Sequence, residues 1–158
     1  MSEEKPKKMA IIAGHGTLDA AYPPLILAST AVALDMEVAI FSTFYGLDIV
    51  NKKKLKKLKV APLGNPAMPI PVPNFIGGLP GMTFMATQMM KSWMKGSGVA
   101  TVPELLDVCI EMGVQLIGCQ MTMDVMGVER DDLIDEIEVG GAATFLEFAQ
   151  DADVTLYI

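Results

Sequence analysis

The sequence is poor in the side chains that bind metal ions or form disulfide frameworks. It contains two cysteines and one histidine in 158 residues. Cys109 and Cys119 are too far apart to form a CxxC redox pair, and a single histidine is too few for the usual His/Cys zinc site. We therefore expect no metal and no cofactor. We expect both thiols to be free, because cytosolic proteins usually keep their cysteines reduced.

Motifs for nucleotide binding and for serine chemistry are also missing. The sequence has no Walker A motif, and Gly14-His15-Gly16 is too short to be a GxGxxG fingerprint. It has no nucleophile elbow of the Gly-x-Ser-x-Gly kind either. These absences argue against dinucleotide or triphosphate binding and against a serine hydrolase.

Long hydrophobic runs and excess positive charge are the remaining absences. No run of 18 apolar residues occurs, and the charged N-terminus MSEEKPKK lacks the apolar stretch of a signal peptide. The net charge of −7 disfavours nucleic-acid binding. Since 51% of the residues are hydrophobic, the chain can bury a core. We expect one cytoplasmic domain spanning residues 1–158.

Short apolar segments alternate with longer amphipathic ones along the chain. The order predicts an α/β fold with a mostly parallel sheet of about five strands and helices on both faces. Pro23 and Pro24 fit the first predicted helix only if they lie within its first turn. The predicted strands are 9–13, 38–42, 115–118 and 154–157, with a further candidate at 59–61, and the predicted helices are 19–34, 102–112 and 142–150.

An insertion of different character covers about residues 52–97. It begins with a lysine-rich run, 52–59, which holds six of the twelve basic residues. We interpret this run as a solvated helix face, with docking to an acidic partner or to an anionic lipid surface as the alternative. Residues 60–90 contain no charged residue and six of the ten prolines, so only 83–94 can be helical.

Methionines mark one face of that helical segment. Met82, Met85 and Met89 recur at helical spacing. Core packing is one explanation, but a domain of this size has little spare core, and methionine suits an adaptable contact surface. We therefore expect a homo-oligomer. A peripheral membrane contact or a partner contact through 52–94 is the further option.

Cys119 is the candidate reactive residue. It follows a predicted buried strand, and reactive groups in open α/β sheets gather beyond the carboxyl ends of strands. Backbone N–H groups of the next segment, from Gln120 to Asp124, would stabilise a thiolate, whereas the Asp124 carboxylate would oppose it if it were close. Cys109 lies on the apolar face of a predicted helix, which is typical of inert packing.

Three other polar residues follow predicted strands. His15 comes after the first strand, and Thr43 and Tyr45 come after the second. A Cys119–His15 pair would allow the imidazole to exchange a proton with the thiol. The order of the strands is not readable from the sequence, so the alternative, a solvent-facing loop histidine, stays open.

Several motifs together resemble the DsrE/DsrF-like superfamily. The resemblance is strongest to its larger subgroup, which is loosely labelled as peroxiredoxin-family proteins. It covers nearly the whole chain from Met9, although His15 replaces the small polar residue usual at its position and is assigned no family role. The motifs are CQMTMDVMG at 119–127, FSTFYG at 41–46, PIPVPN at 69–74, LPGM at 79–82 and EVGGA at 138–142.

This resemblance implies a flavodoxin-like three-layer fold, homo-oligomers and a role in cytoplasmic sulfur relay. Cys119 would accept sulfane sulfur as a persulfide or thiosulfonate and pass it to TusA-like or rhodanese-like carriers. Three alternatives stay open. The protein could be a structural or regulatory subunit, a small-molecule-binding module that uses His15, Thr43 and Tyr45, or a single-cysteine peroxidase.

Overall fold

The computed structural model describes residues 5–62 and 74–158, and its centre is a parallel β-sheet. The strands are β1 (Lys8–Ala13), β2 (Glu37–Ser42), β3 (Gln115–Cys119), β4 (Glu138–Gly140) and β5 (Val154–Tyr157). Their order across the sheet is β4-β3-β2-β1-β5, and every pairing is parallel. The predicted fold class is confirmed.

Helices cover both faces of this sheet. They are α1 (Leu18–Ala33), α2 (Asn74–Gly77), α3 (Met82–Gly96), α4 (Val102–Glu111), α5 (Gln120–Met126) and α6 (Ala142–Ala149), with short 3₁₀ helices at Phe44–Val50 and Arg130–Asp132. Side chains of α1 and α4 belong to the larger core cluster, and α6 contributes Phe145 to the smaller one. Successive residues of a strand point to opposite faces, so Ile40 packs with the first cluster and Phe41 with the second.

The two prolines of α1 lie deeper in the helix than expected. The helix begins at Leu18, which places Pro23 and Pro24 beyond the first turn, so that expectation was wrong. Proline has no N–H, and the carbonyls of Asp19 and Ala20 therefore lack their usual intrahelical donors. The helix continues because its buried face packs on the sheet and on α4, and such packing outweighs local propensity.

The candidate strand at 59–61 does not form. Its backbone is used elsewhere: the N–H of Leu18 donates to the carbonyl of Lys59 at 2.8 Å, and the N–H of Val60 donates to the hydroxyl of Thr87 at 3.1 Å. The N–H of Ala61 donates to the Asp19 carboxylate at 3.3 Å. This segment therefore ties the insertion to the start of α1 instead of extending the sheet.

The lysine-rich run is not a helix, contrary to our interpretation. It forms turns in which Leu55 and Leu58 are buried at 9% and 5% exposure. Their spacing of three residues would also fit one face of a helix, so the sequence pattern alone does not separate these turns from a helix. Lys52, Lys53 and Lys54 form ion pairs with the protein's own aspartates, which are Asp135, Asp132 and Asp48 respectively.

The structure contains one helix that the sequence predicted and one strand that it did not. The helix expected at 83–94 is α3, and β4 was missed because three residues are too few to show a period. The proline-rich residues 69–73 and the first four residues of the chain lie outside the described part. Across residues 5–62 and 74–158, no helix is both long and apolar enough to cross a bilayer.

Close packing where β1 and β2 end makes Gly46 a test of the fold. A methyl group on Gly46 would overlap the carbonyl oxygen of Ala13. We expect Gly46→Ala to lower the free energy of unfolding by about 1–3 kcal/mol or more, because the backbone would have to shift. Gly96→Ala is the control, since a methyl group there meets nothing within 4 Å. Urea unfolding of both variants measures the difference, and equal stabilities would contradict this packing.

Candidate functional site

Cys119 lies where β3 ends and α5 begins. It is the last residue of the strand and the N-cap of the helix, and the segment that follows it, for which the sequence predicted no helix, is the short helix α5. Its neighbour across the sheet is Gly140 in β4. The residue is 4% exposed and belongs to the smaller core cluster, with Phe41, Ile117 and Phe145 among its members.

Hydrogen bonds set the acidity of this thiol. Burial alone would raise the pKa of Cys119, because it disfavours the charged form. The hydroxyl and backbone N–H of Thr122, the hydroxyl of Thr43 and the backbone N–H of Met121 act in the opposite direction. Together they hold the pKa of Cys119 below its usual value. A larger share of the thiol is therefore ionised at neutral pH.

Thr122 is the residue that organises this set of donors. It is fully buried, and its Oγ1 lies 3.1 Å from the Oγ1 of Thr43. The N–H of Phe44 donates to the same Thr122 oxygen at 3.1 Å. The Thr122 hydroxyl has one hydrogen, which it can donate either to the Thr43 oxygen or to the sulfur of Cys119. The network joins the end of β2 to the start of α5.

Sequence reasoning included Thr43 among the candidates but missed Thr122. One signal could have found it: residues three apart in a helix share a face, so the side chain of Thr122 points back toward Cys119. That signal depended on recognising residues 120–126 as a helix. Phe44 adds a feature that no sequence pattern shows, a φ of 47°, which is uncommon for a bulky side chain.

The structure does not bring His15 to Cys119. Strand β2 lies between β1, which His15 follows, and β3, which Cys119 ends. Two strand spacings amount to roughly 10 Å. The His15 ring packs edge-on against Tyr157 of β5, with ring centroids 5.9 Å apart, on the side of β1 away from Cys119. The hypothesised Cys–His pair is therefore not formed.

The other candidate residues fall into two places. His15 and Tyr45 line a cavity of about 500 Å³, whereas Thr43 is not among its lining residues and bonds within the Cys119 network. Gln120 and Asp124 are exposed and pair with each other, with the Gln120 amide donating to Asp124 at 2.9 Å. Asp124 does not contribute to the pKa shift of Cys119, so the opposing effect considered from the sequence is absent.

Cys109 shows the opposite chemistry. It is fully buried in α4, and its thiol donates to the carbonyl of Leu25 at 3.4 Å. Burial raises its pKa to about 11, so it is un-ionised at neutral pH. Both cysteines are free thiols. Within residues 5–62 and 74–158, no group of three or more His, Cys, Asp or Glu side chains is arranged to hold a metal ion.

Comparisons with known proteins agree with this architecture. A sequence model of the DsrE/DsrF/DrsH-like family matches residues 5–157. The chain is 51% identical to the sulfur carrier protein DsrE2 of Allochromatium vinosum, over 96% of this chain and 98% of that protein. It is 34% identical to the protein YrkE of Bacillus subtilis, over 98% and 99% of the two chains.

A solved structure shows the same fold at low sequence identity. The crystal structure of the ychN protein from E. coli superposes with a TM-score of 0.55 at 12% identity. The match covers 96% of this chain and 99% of that one. At this identity the likeness concerns the arrangement of strands and helices alone.

The Thr122 network predicts how fast Cys119 reacts with an alkylating reagent. Thr122→Val keeps the shape of the side chain but removes the hydroxyl donor, so the pKa of Cys119 should rise. We expect the iodoacetamide rate of Cys119 at pH 7 to fall about tenfold, and its pH profile to move to higher pH. Peptide mass mapping separates Cys119 from Cys109.

Thr30→Val is the matched control, because it makes the same substitution at a threonine away from Cys119. The Thr30 hydroxyl donates to the carbonyl of Ile26 at 2.7 Å within α1, where it is exposed. Thr122→Val should also cost about 1–3 kcal/mol of stability, because the N–H of Phe44 loses its acceptor. An unchanged pH profile in a folded Thr122→Val protein would show that the hydroxyl does not tune the thiol.

Proposed function

The chain belongs to the DsrE/DsrF/DrsH-like family, and from that premise we propose that it is a cytoplasmic sulfur-relay protein that carries sulfane sulfur on Cys119. The lowered pKa of Cys119, at the end of β3, is the observation that carries this proposal. A relative of 51% identity named as a sulfur carrier supports it. The relay needs one thiolate, and neither a metal nor a nucleotide.

The proposed chemistry is a pair of sulfur-transfer steps. The Cys119 thiolate attacks the sulfane sulfur of a donor such as thiosulfate, the donor S–S bond breaks, and sulfite leaves. The product is a Cys119 persulfide, and no external oxidant is consumed. An acceptor thiolate then attacks the outer sulfur, the S–S bond to Cys119 breaks, and the Cys119 thiolate is the leaving group.

A polythionate donor would give the thiosulfonate form instead. Attack of the Cys119 thiolate on an inner sulfur of tetrathionate displaces thiosulfate and leaves an S–SO₃ group attached to the Cys119 sulfur. In either form, the thiol with the lower pKa is the better leaving group when the acceptor attacks. The donors from Thr122 and Thr43 therefore assist both loading and release.

The burial of Cys119 shapes how transfer would proceed. Because Cys119 is only 4% exposed, water and small thiols reach its sulfur slowly. A persulfide held there would be protected between steps. A protein acceptor would have to displace residues around α5 or the start of the 3₁₀ helix Phe44–Val50 to reach it. We infer that the acceptor is a sulfur carrier protein with an accessible thiol, of the TusA-like or rhodanese-like kind.

The same burial favours one competing function. A non-catalytic structural or regulatory subunit would also keep Cys119 packed in the core with Phe41 and Phe145. The two functions differ in the thiol, because a packing cysteine needs no hydrogen-bond donors that lower its pKa. Cys109 shows what such a packing cysteine looks like in this fold, with its pKa raised to about 11.

Intact mass after exposure to a sulfur donor tests the proposal. After incubation with thiosulfate or tetrathionate, the wild type should gain the mass of one or more sulfur atoms, or of a thiosulfonate group. Dithiothreitol should remove the added mass. Cys119→Ser should abolish the gain, because serine supplies no thiolate and leaves the volume at the strand end nearly unchanged.

Cys109→Ser is the control for thiol content. It should load to the wild-type extent, although a hydroxyl in this fully buried site lowers stability by about 1–3 kcal/mol. If Cys119→Ser loads as the wild type does, or if the wild type takes up sulfur from no donor, the carrier function is wrong. The structural-subunit function would then lead.

The insertion presents an apolar surface that we propose forms a homo-oligomer. Thr87 is the single buried residue among those described in α3. Burial of this apolar area in a second copy would remove it from water, which favours association. Six large apolar side chains of α2, α3 and the turn between them are exposed. Their exposed fractions are Phe75 76%, Leu79 53%, Phe84 60%, Met85 65%, Met89 36% and Trp93 47%.

Two lysines on this surface should weaken the oligomer. Met85 and Met89 are one helical turn apart, so Met85→Lys with Met89→Lys places two like charges on the same face of α3. We expect the mass from light scattering to fall toward that of the monomer, which is 17.0 kDa. The control carries the same two charges at Leu34 and Leu146, which are exposed outside the insertion.

Three outcomes decide this point. A lower mass only in the α3 variant supports the interface. A monomeric wild type removes the idea of a homo-oligomer. A lower mass only in the Leu34/Leu146 variant places the contact elsewhere on the molecule.

A further inference from the structure

We propose that the cavity between the ends of β1 and β2 and the lysine-rich run binds a small organic anion. The inference is independent of the chemistry of Cys119. Among the described residues, its lining includes His15, Tyr45, Lys57 and Lys59. A volume of about 500 Å³ lies within the usual range of small-molecule sites.

The charge of the lining is opposite to that of the whole chain. Four lysines line the cavity, Lys53, Lys54, Lys57 and Lys59, against one described acidic residue, Asp48. The chain as a whole carries a net charge of −7. A positive cavity on an acidic protein attracts anions locally, while the rest of the surface repels them.

Two of these lysines are not neutralised by the part of the protein that is described. Lys53 is paired with Asp132, and Lys54 is paired with Asp48 at 2.7 Å. Neither Lys57 nor Lys59 forms an ion pair with any described carboxylate. These two ammonium groups are the ones that a bound anion would satisfy.

Backbone contacts hold this wall of the cavity in place. The carbonyl of Lys59 accepts from the N–H of Leu18 at the start of α1, and the N–H of Val60 donates to Thr87 of α3. Leu58, between the two uncompensated lysines, is buried at 5% exposure. The lysines therefore project from an anchored chain, so a ligand would not have to order the loop on binding.

Apolar groups in the lining indicate an organic ligand and not an inorganic ion. Leu58, Val60 and Pro62 line the cavity with the ring of Tyr45, and long lysine side chains present hydrocarbon stems below their charged ends. A molecule with a small apolar body could pack on these groups while its carboxylate, phosphate or sulfonate meets Lys57 and Lys59. All three groups share the negative oxygen that an ammonium group binds.

The cavity also has the usual position for a ligand in this fold. His15, Gly16 and Thr17 follow β1, while Tyr45 and Asp48 follow β2, so the lining gathers beyond the carboxyl ends of two neighbouring parallel strands. Ligands of open α/β sheets bind at this edge. Cys119 lies at the same edge, on the far side of β2.

Matched aromatic probes test for anion binding to the full-length protein. Phenyl phosphate, benzoate and benzenesulfonate carry the three anionic groups, and benzyl alcohol and benzylamine are the neutral and cationic counterparts. Titrations followed by NMR should give at least one anion a Kd about fivefold to tenfold lower than that of benzyl alcohol. The preference should weaken with added salt. Which anion binds best identifies the group.

The lysine run itself supplies the matched control. Lys57→Gln with Lys59→Gln should remove the preference for the anion and leave weak binding of the neutral probe. Lys56 is an exposed lysine of the same run that does not line the cavity. The Lys56→Gln protein should therefore bind the anionic probe as the wild type does. Repeating the titration with Cys119→Ser should change nothing, which separates this site from the sulfur chemistry.

Specific results would overturn the inference. Equal Kd values for benzyl alcohol and all three anions would show that the cavity does not select charge. A loss in Lys56→Gln that reaches half of the loss in the double variant would show that each charge of the run counts equally, as on an unspecific charged surface. Binding of phosphatidylserine vesicles that all three substitutions weaken, without any probe binding, would assign the run to a lipid surface.

Discussion

The hydroxyl of Thr122 is the point on which the geometry of the candidate site depends. Its oxygen accepts a hydrogen bond from the N–H of Phe44 and lies 3.1 Å from the hydroxyl oxygen of Thr43. The same hydroxyl faces the sulfur of Cys119. One buried oxygen thus connects the ends of two strands to the start of a helix. Because buried polar groups must be satisfied, this arrangement fixes the backbone around the thiol as well as its acidity.

The sequence was sufficient for four of the five strands and for the position of Cys119, because these depend on local patterns. Short apolar runs followed by Gly, Thr or Cys mark the ends of parallel strands, and they were read correctly for β1, β2 and β3. The relation between His15 and Cys119 depends on strand order, which is a property of the whole chain. His15 and Cys119 are both found at the end of an apolar strand, yet they lie apart because β2 separates their two strands.

Other differences arose where tertiary contacts outweighed local preference. Pro23 and Pro24 remain inside α1 because the helix is packed on the sheet and on α4. The lysine-rich run contains strong helix formers, yet it folds as turns in which Leu55 and Leu58 are buried. Lys52 and Lys53 pair with Asp135 and Asp132, far along the chain, and Lys54 pairs with the nearby Asp48. The run's partners at 48, 132 and 135 could not be assigned before the fold was known.

The two cysteines show why burial alone does not decide reactivity. Cys109 and Cys119 are 0% and 4% exposed, yet the pKa of the first is raised to about 11 and that of the second is lowered. The thiol of Cys109 donates to a carbonyl, an interaction that its thiolate cannot make, whereas hydroxyl and amide groups near the Cys119 sulfur stabilise its thiolate and lower its pKa. Desolvation acts against ionisation at both positions, and only at Cys119 do enough donors converge to reverse it. A strand end followed at once by a helix supplies these donors, which the middle of a helix such as α4 cannot, since its N–H groups are already bonded.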